Sequence, residues 1–476
     1  MESASEWVVA QSIHSLLQAP LYHYIVEGLL VVWIIRLLFF KSYKIHDKVP
    51  LTTKEKDELI EDWEPEPLVP PLEETRAVSK PYRVVSGQPG KEIVVDGYKC
   101  KNFASLNFLG FVENERISKA ATECVSKYGV GSCGPRGFYG SFDVHLELEK
   151  RIAKFTGTEC AIIYSYGFAT IASAIPSYSK RGDILYVDEA CCFAIQKGVQ
   201  ASRSNVVYFK HNDMEDLESK LRHQEMLDKK DVKKSSVTRK FMVVEGIYMN
   251  TGEICDLPRL VDLKYKYKVR LFVEESLSFG VLGQHGRGVT EHYNIPVEKV
   301  DMMCGSMEYS LASTGGFCCG REYVIDHQRL TGLGYVFSAS LPPLLACAAI
   351  EAIDIMEEEH EVLFPKLKSK AVLLQQLVRK IPYIEVVGYL ESPAFHIRRL
   401  KKVSFEEDLK FLNDIVNKSC ELGVCLTVAS RLKQIELKED WPPSIRVSVS
   451  VNMSDDELQN MAQVLTQAVH YANEQA

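Results

Sequence analysis

A polar, glycine-containing segment at residues 305–316 has the composition of a ligand-binding loop. It reads GSMEYSLASTGG and lies between two short apolar runs. Glycine, serine and threonine in such a position are typical of a loop that surrounds a ligand, because they let the backbone approach it closely. The segment contains no lysine, cysteine or histidine. It therefore predicts a pocket without a strong nucleophile, with Tyr309 near its middle.

A second glycine-rich stretch, YGVGSCGPRGFYG at residues 128–140, carries Cys133 and Arg136 in front of a helix-like segment. Arg136 could bind a phosphate or a carboxylate through two parallel hydrogen bonds, or it could form a structural salt bridge. Nothing in the sequence indicates an activated thiolate at Cys133, so we interpret this side chain as packed. His145 and Glu149 belong to the helix that follows, where we expect surface or capping roles.

The composition excludes several classes of protein. The 476-residue chain has a net charge of −8 and an isoelectric point of about 5.9, so it has no overall basic field for binding nucleic acid. Its 13 cysteines and 12 histidines are scattered, without CxxC or HExxH spacing. The sequence therefore predicts no metal site, and its cysteines suit a reducing compartment.

Short apolar runs rich in β-branched residues alternate with helix-like segments through the middle of the chain. This alternation predicts an α/β fold with a mainly parallel sheet, in which ligands lie beyond the carboxyl ends of the strands. After the Pro342-Pro343 pair the pattern changes to two helices, several strands and a final helix that begins with a capping box at Ser454. The seven apolar runs lie at residues 161–164, 184–187, 206–209, 241–244, 271–273, 300–304 and 317–319.

The amino-terminal part predicts attachment to a membrane. Residues 21–40 read LYHYIVEGLLVVWIIRLLFF, long enough as a helix to cross the hydrocarbon layer, with Glu27 and Arg36 as the only charges. We predict a retained transmembrane helix; an interfacial helix and a cleaved signal peptide are the alternatives. Lysines follow the segment and none precedes it, which predicts a cytosolic body.

These patterns divide the chain into five parts. The predicted boundaries are 1–20 for an amphipathic segment, 21–40 for the transmembrane helix, 41–84 for a proline-containing linker, 85–342 for a large α/β domain and 343–476 for a smaller α+β domain.

Five ordered segments resemble the α-oxoamine synthases, fold-type-I enzymes that use pyridoxal phosphate (PLP) to join an amino acid to an acyl-CoA with loss of carbon dioxide. The resemblance covers roughly residues 85–476 and implies an aspartate-aminotransferase-like large domain with a seven-stranded sheet. The segments are NFASLNFLG from residue 102, YGVGSCGPRGFYGSFDVHLELE from 128, VVEGIYMNTGEICDLPRL from 243, VEESLSFGVLGQHGRG from 273 and FSASLPP from 337.

The resemblance also indicates that this chain has lost the family's chemistry. In the family a lysine forms an imine with the cofactor aldehyde, and Tyr309 stands at its position. Glu274 stands where an aspartate faces the pyridinium nitrogen, Leu277 replaces a histidine of the same motif, and Cys192 replaces the histidine that stacks on the ring. We therefore expect a degenerate cofactor pocket with no catalytic residue of its own, and a partner that holds PLP.

The resemblance further implies that this chain completes the site of a lysine-bearing relative that condenses L-serine with palmitoyl-CoA to 3-oxosphinganine, carbon dioxide and CoA. Ser338 and Ser340 would contact the phosphate in the facing subunit, or their segment FSASLPP would only turn the chain into the helix that follows. Cys133 and Arg136 would lie near the seam. Small activating subunits, Orm-like regulators and the endoplasmic reticulum membrane are also implied, with the amino terminus in the lumen. A membrane scaffold and a self-sufficient homodimer are the alternatives.

Overall fold

The computed structural model describes residues 20–39, 52–64, 83–429 and 441–475. The chain divides between residues 81 and 82 into two compact units, which we describe separately. The helices, in chain order, are α1 Leu21–Phe39, α2 Thr53–Glu61, α3 Glu115–Tyr128, α4 Asp143–Thr156, α5 Gly167–Tyr178, α6 Phe193–Ser202, α7 Met214–Lys230, α8 Val232–Val237, α9 Leu257–Tyr267, α10 Val289–His292, α11 Glu322–Thr331, α12 Leu333–Val336, α13 Pro343–Val378, α14 Phe405–Glu421 and α15 Asp455–Glu474.

The strands, in chain order, are β1 Val85–Ser86, β2 Glu92–Val95, β3 Tyr98–Asn102, β4 Cys160–Tyr164, β5 Ile184–Asp188, β6 Asn205–Phe209, β7 Lys240–Glu245, β8 Arg270–Glu274, β9 Met302–Ser306, β10 Gly316–Gly320, β11 Ile384–Val387, β12 Ala394–Arg399, β13 Val424–Cys425, β14 Thr427–Val428 and β15 Ile445–Ser448.

The amino-terminal unit contains the helices α1 and α2. Thr52 and Glu55 cap α2 reciprocally, each side chain accepting a hydrogen bond from the other's backbone amide. No helix in the described part of the chain is both long and apolar enough to cross a bilayer. The transmembrane helix predicted at residues 21–40 is thus not confirmed: α1 forms there, but it includes Glu27 and Arg36, which are costly in hydrocarbon. The predicted segments 1–20 and 41–84 lie largely outside the described residues.

A seven-stranded mixed sheet forms the centre of the second unit. Its order is β4-β10-β9-β8-β7-β5-β6; the neighbours from β9 to β6 are parallel, and β10 runs antiparallel to both β4 and β9. Each of the seven apolar runs in the sequence overlaps one of these strands. All five residues of β5 and of β9 are buried, as expected for strands covered on both faces. The predicted mainly parallel seven-stranded sheet is confirmed, with β10 as its one reversed strand.

The carboxyl-terminal part has its own hydrophobic core. Residues of α14, α15 and the sheet β11-β12-β15-β14 form a cluster separate from the main core. Two features link it to the rest of the unit: α13 contributes to both cores, and β3 pairs in parallel with β13. The boundary between residues 342 and 343 stays a prediction, since β1, β2 and β3 form one sheet with β13.

Candidate functional site

Acidic and hydroxyl side chains stand at the carboxyl ends of the central strands. Asp188 ends β5, Glu245 ends β7, Glu274 ends β8 and Ser306 ends β9. Glu245 and Glu274 are direct partners in the parallel register of their strands. Because parallel strands end at the same edge, the fold gathers these residues where open α/β sheets bind ligands.

The Glu274 carboxyl is buried and hydrogen-bonded within the chain. The Ser276 backbone amide donates to both of its oxygens at 3.2 Å, and the Ser276 hydroxyl donates to Oε1. The Ser306 amide in turn donates to the Ser276 oxygen at 2.8 Å. Burial raises the Glu274 pKa to about 7, although the bonds from Ser276 oppose the rise. Burial therefore shifts this carboxyl toward its protonated form.

Glu245 lies beside Glu274 and holds the start of α6. Its Oε1 accepts a hydrogen bond from the Cys192 amide at 2.5 Å, and its Oε2 accepts one from the Met249 amide at 2.9 Å. Burial, and then the charge of Glu274, raise the Glu245 pKa to about 8. The two carboxyls disfavour each other's ionisation, so at least one of them is protonated at neutral pH.

Cys192 and Leu277 are the two residues predicted to replace histidines of the family. Cys192 immediately precedes α6, and burial followed by the charges of Glu245 and Glu274 raises the pKa of its thiol well above the ordinary value. Leu277 is a buried member of the main core. Neither side chain can stack on a ring or transfer a proton as a histidine would.

Tyr309 lines a cavity of about 460 Å³ together with Asn107, Glu308 and Arg446. Burial raises the pKa of its hydroxyl, and the charges of Glu308, Glu274 and Cys192 act in the same direction. Three of the four predicted pocket residues, Tyr309, Glu274 and Cys192, therefore influence one another electrostatically, while Leu277 is a buried member of the core.

The side chains of this pocket do not fit a covalently attached PLP. Tyr309 offers a phenol, and within the described residues no lysine forms a hydrogen bond or ion pair with Tyr309, Glu274 or Cys192. The Glu274 oxygens are already engaged by Ser276. These side chains therefore supply no amine for an imine with the PLP aldehyde. No group of three or more metal-ligating side chains occurs in the described part of the chain.

Ser340 fastens the glycine-rich loop at residues 129–140 to the segment before α13. Its amide donates to the Gly134 carbonyl at 3.0 Å, its hydroxyl donates to the Gly140 carbonyl, and its carbonyl accepts from the Ser132 hydroxyl at 3.0 Å. Ser338 is half-buried, and its hydroxyl donates to the Gly334 carbonyl at 2.6 Å. The polar groups of Ser340 and the Ser338 hydroxyl are therefore used within the chain, and Ser338 remains partly exposed.

Cys133 and Arg136 belong to the same loop, but Cys133 is exposed and Arg136 is buried. Cys133 is exposed and has a φ of 58°, a left-handed conformation, so our interpretation of it as a packed thiol is wrong. Arg136 is buried: its Nη1 contacts Glu149 Oε1 at 2.9 Å and its Nε donates to the Ser141 hydroxyl at 2.9 Å. This geometry favours the salt-bridge alternative for Arg136. Whether any of these residues reaches a partner's site stays a prediction.

Sequence reasoning missed a charged cluster next to the strand ends. His211 Nδ1 lies 2.9 Å from Asp188 Oδ1, and its Nε2 lies 2.8 Å from Glu253 Oε2. Burial acts to lower the His211 pKa, but the hydrogen bonds to Asp188 and Glu253 outweigh it and raise the pKa to about 9. Glu245 was missed as well. An acidic residue directly after an apolar run was the available signal, since such a run ends at the ligand edge of the sheet.

Comparisons with known proteins agree with this geometry. Residues 99–465 match the family model described as aminotransferase class I and II. The chain is 45% identical over 440 residues to long chain base biosynthesis protein 1c of Oryza sativa subsp. japonica, covering 92% of this chain and 89% of the relative. It is 42% identical over 460 residues to serine palmitoyltransferase 1 of Dictyostelium discoideum, covering 94% of each.

Among solved structures, the chain is similar in fold to the serine palmitoyltransferase of Sphingomonas wittichii. The TM-score is 0.73 at 23% identity, covering 82% of this chain and 92% of that one.

Proposed function

The chain belongs to the aminotransferase class I and II family, among the long chain base biosynthesis protein 1 and serine palmitoyltransferase 1 proteins, and from this membership we propose that it is the noncatalytic but required subunit of a heteromeric serine palmitoyltransferase. The complex would condense L-serine with palmitoyl-CoA to 3-oxosphinganine, carbon dioxide and CoA, which begins sphingolipid synthesis. Tyr309 carries the proposal, because a phenol at the lysine position cannot hold PLP covalently.

In this proposal the lysine-bearing partner binds PLP and performs the chemistry. This chain contributes a folded surface next to the partner's site. Cys133 is exposed in the glycine-rich loop, and Ser338 is partly exposed in the segment before α13, so another subunit can reach both residues. Ser340 and Arg136 act indirectly, since their polar groups hold the same two segments in place.

The first experiment expresses the chain with and without a lysine-bearing relative and measures condensation of labelled L-serine with palmitoyl-CoA. We expect activity only when both chains are present. Borohydride reduction followed by mass spectrometry should then find the cofactor on the partner alone. A pyridoxyl adduct on this chain, or turnover by this chain alone, would establish the self-sufficient homodimer instead.

One observation favours the scaffold alternative: Ser340 and Arg136 are occupied within the chain and cannot bind a partner's ligand in this arrangement. Ser338→Ala and Cys133→Ala separate the two functions in the assembled complex, with the exposed Ser236→Ala as the matched control. A changed KM or kcat for Ser338→Ala or Cys133→Ala, at unchanged assembly, supports a contribution to the partner's site. Wild-type kinetics for both variants would support the scaffold.

We further propose that the complex works at the endoplasmic reticulum membrane with the body of this chain in the cytosol. Helix α1 supports this proposal because its described side chains are exposed and mostly apolar, among them Ile25, Leu29 and Trp33. Carbonate extraction and protease protection of the full chain would test it. Small activating subunits and Orm-like regulators would be sought by co-purification from the same membranes.

A further inference from the structure

A cavity of about 660 Å³ lies at the amino ends of β7 and β8, at the sheet edge opposite the candidate site. Its volume is within the range of small-molecule sites. Four rings form a connected floor: Phe241 and Phe272 have centroids 5.2 Å apart, Tyr178 and Phe272 5.5 Å, and Tyr178 and His327 5.4 Å. The cavity thus has an apolar interior without belonging to the site described above.

Cationic side chains outnumber acidic ones around this cavity. Arg239, Lys240, Lys268 and Arg270 line it, against Asp301 as the one carboxylate in the lining. Arg270 Nη1 lies 2.8 Å from Asp301 Oδ1, but more than half of its side chain is exposed. Lys268 is exposed and forms no ion pair within the described residues. At least one whole positive charge is therefore available at the mouth.

The lining excludes some ligand classes. Arg239 and Lys240 are already paired with Asp183 and Asp228. A cation would therefore meet the unpaired Lys268 beside the Arg270–Asp301 pair, and a neutral apolar molecule would leave the charge at the mouth unused. A small inorganic anion would not fill the ring-floored interior. A ligand that carries a dianionic head on an apolar or aromatic body matches both parts of the cavity, and a phosphate monoester is mostly dianionic at neutral pH.

We propose that this cavity binds a phosphate monoester with an apolar or aromatic body, its phosphate near Lys268 and Arg270 and its body against Phe272 and Tyr178. Arginine and lysine are the usual phosphate partners, and the guanidinium can donate two parallel hydrogen bonds. An alkyl phosphate and a nucleoside monophosphate share this chemistry. The proposal does not depend on the proposed function.

The test is photo-crosslinking of the purified full-length chain with a diazirine-bearing octyl phosphate, followed by peptide mapping. We expect adducts in the lining segments, from residues 235–241, 268–272 and 323–327. Unlabelled octyl phosphate or adenosine 5′-monophosphate should suppress them, and the better competitor identifies the body. Inorganic phosphate and octyltrimethylammonium should not.

Two kinds of variant make the result specific. Lys268→Glu with Arg270→Gln should lower labelling roughly tenfold, because the charge-assisted bonds to the phosphate are lost. Asp301 keeps its ion pair with Lys264, 2.7 Å away, which helps preserve the fold. The exposed Lys410→Glu on α14 is the matched charge control.

Val324→Trp fills the cavity without changing its charge, and the exposed Val232→Trp is the control. If the charge variants fail to fold, labelling of Val324→Trp tests the proposal. Labelling that persists in both Lys268→Glu/Arg270→Gln and Val324→Trp would overturn the proposal. Equal competition by octyltrimethylammonium would also overturn it, because the cavity would then not recognise the charge of the ligand. Equal competition by octanoate would overturn it as well, because the cavity would then have no preference for phosphate.

Discussion

Arg136 shows that the role of a single residue depends on its surroundings. The sequence allowed either a phosphate contact or a salt bridge, and the structure places the guanidinium against Glu149, with both side chains less than a tenth exposed. The Glu149 Oε1 also accepts a hydrogen bond from the Ile163 amide at 3.2 Å. The pair therefore joins the glycine-rich loop and α4 to β4.

Arg136→Met should destabilise the chain by about 3 kcal/mol, because it leaves the Glu149 carboxylate buried without its main partner. Arg329, 3.6 Å from Glu149 Oε2, compensates only in part. The measurement is chemical denaturation followed by far-ultraviolet circular dichroism.

Arg116→Met is the control for that change, since Arg116 forms ion pairs with Glu351 and Glu358 while half exposed. It should cost less than about 1 kcal/mol. Equal effects of Arg116→Met and Arg136→Met would show that burial does not determine the contribution of Arg136.

At the scale of elements, the glycine-rich loop depends on close backbone contact. A Cβ built on Gly140 would lie 2.0 Å from the Gly134 carbonyl oxygen, which is backbone and cannot rotate away. A Cβ on Gly137 would meet nothing within 4 Å. Ser340 adds its hydrogen bonds to the same two glycines, so loop and segment form one structural element.

Gly140→Ala should therefore displace the loop at a cost of about 1–3 kcal/mol and lower the activity of the assembled complex. Gly137→Ala, a change of the same size, should leave both unchanged. Hydrogen–deuterium exchange of residues 129–141 in each variant checks the prediction. Equal exchange in the two variants would contradict it.

The carboxyl ends of β7 and β8 predict a pH dependence of stability. Burial raises the pKa of Glu275 to about 8, with its oxygens accepting from the Ser278 hydroxyl and the Val289 amide. The ordinary value is 4.5, so between about pH 5 and 8 the folded state holds a proton that the unfolded state has released. The free energy of unfolding therefore falls as the pH rises, by up to about 1.4 kcal/mol per pH unit for each such carboxyl.

Glu275→Gln should remove that contribution and flatten the profile between pH 5 and 8. Glu274 and Glu245, with pKa values near 7 and 8, act in the same direction. His211, raised to about 9, adds stability that is complete below about pH 6.5 and is lost as the pH rises through 9. The exposed Glu147→Gln should leave the slope as it is. A Glu275→Gln profile parallel to that of the wild type would refute this account.

At the scale of the whole molecule, the glycine-rich loop and the segment before α13 expose large apolar side chains. Phe138, Tyr139 and Phe337 are each more than two-thirds exposed. Exposed groups of this size on linked segments are typical of a surface covered by another protein. The partner of the proposed complex would supply that cover.

Tyr139→Asp combined with Phe337→Asp should weaken association with the lysine-bearing partner by tenfold or more, on the order expected when aromatic interface residues are lost. Size-exclusion chromatography and surface plasmon resonance of the purified pair measure it. Tyr265→Asp, which changes another exposed tyrosine, on α9, should leave the affinity unchanged. Undiminished affinity in the double variant would place the partner elsewhere.

The sequence by itself determined the family and the seven strands of the central sheet, and it predicts that Tyr309 stands at the family's lysine position. The strands could be predicted from short stretches of sequence, because a strand that is buried on both faces needs apolar residues at consecutive positions. The identity of residue 309 decides whether covalent attachment is chemically available, independent of its neighbours. These conclusions needed no long-range contact.

Only the tertiary structure decided which polar side chains form hydrogen bonds or ion pairs within the chain and which side chains are exposed. Gly134 and Ser340 meet across about two hundred residues of sequence, and the Glu245–Glu274 pairing arises from the register of two strands. The exposure of Cys133, the burial of Arg136 and the raised carboxyl pKa values all depend on these contacts. Local sequence could not give them, because burial and electrostatic environment are properties of atoms brought together by the fold.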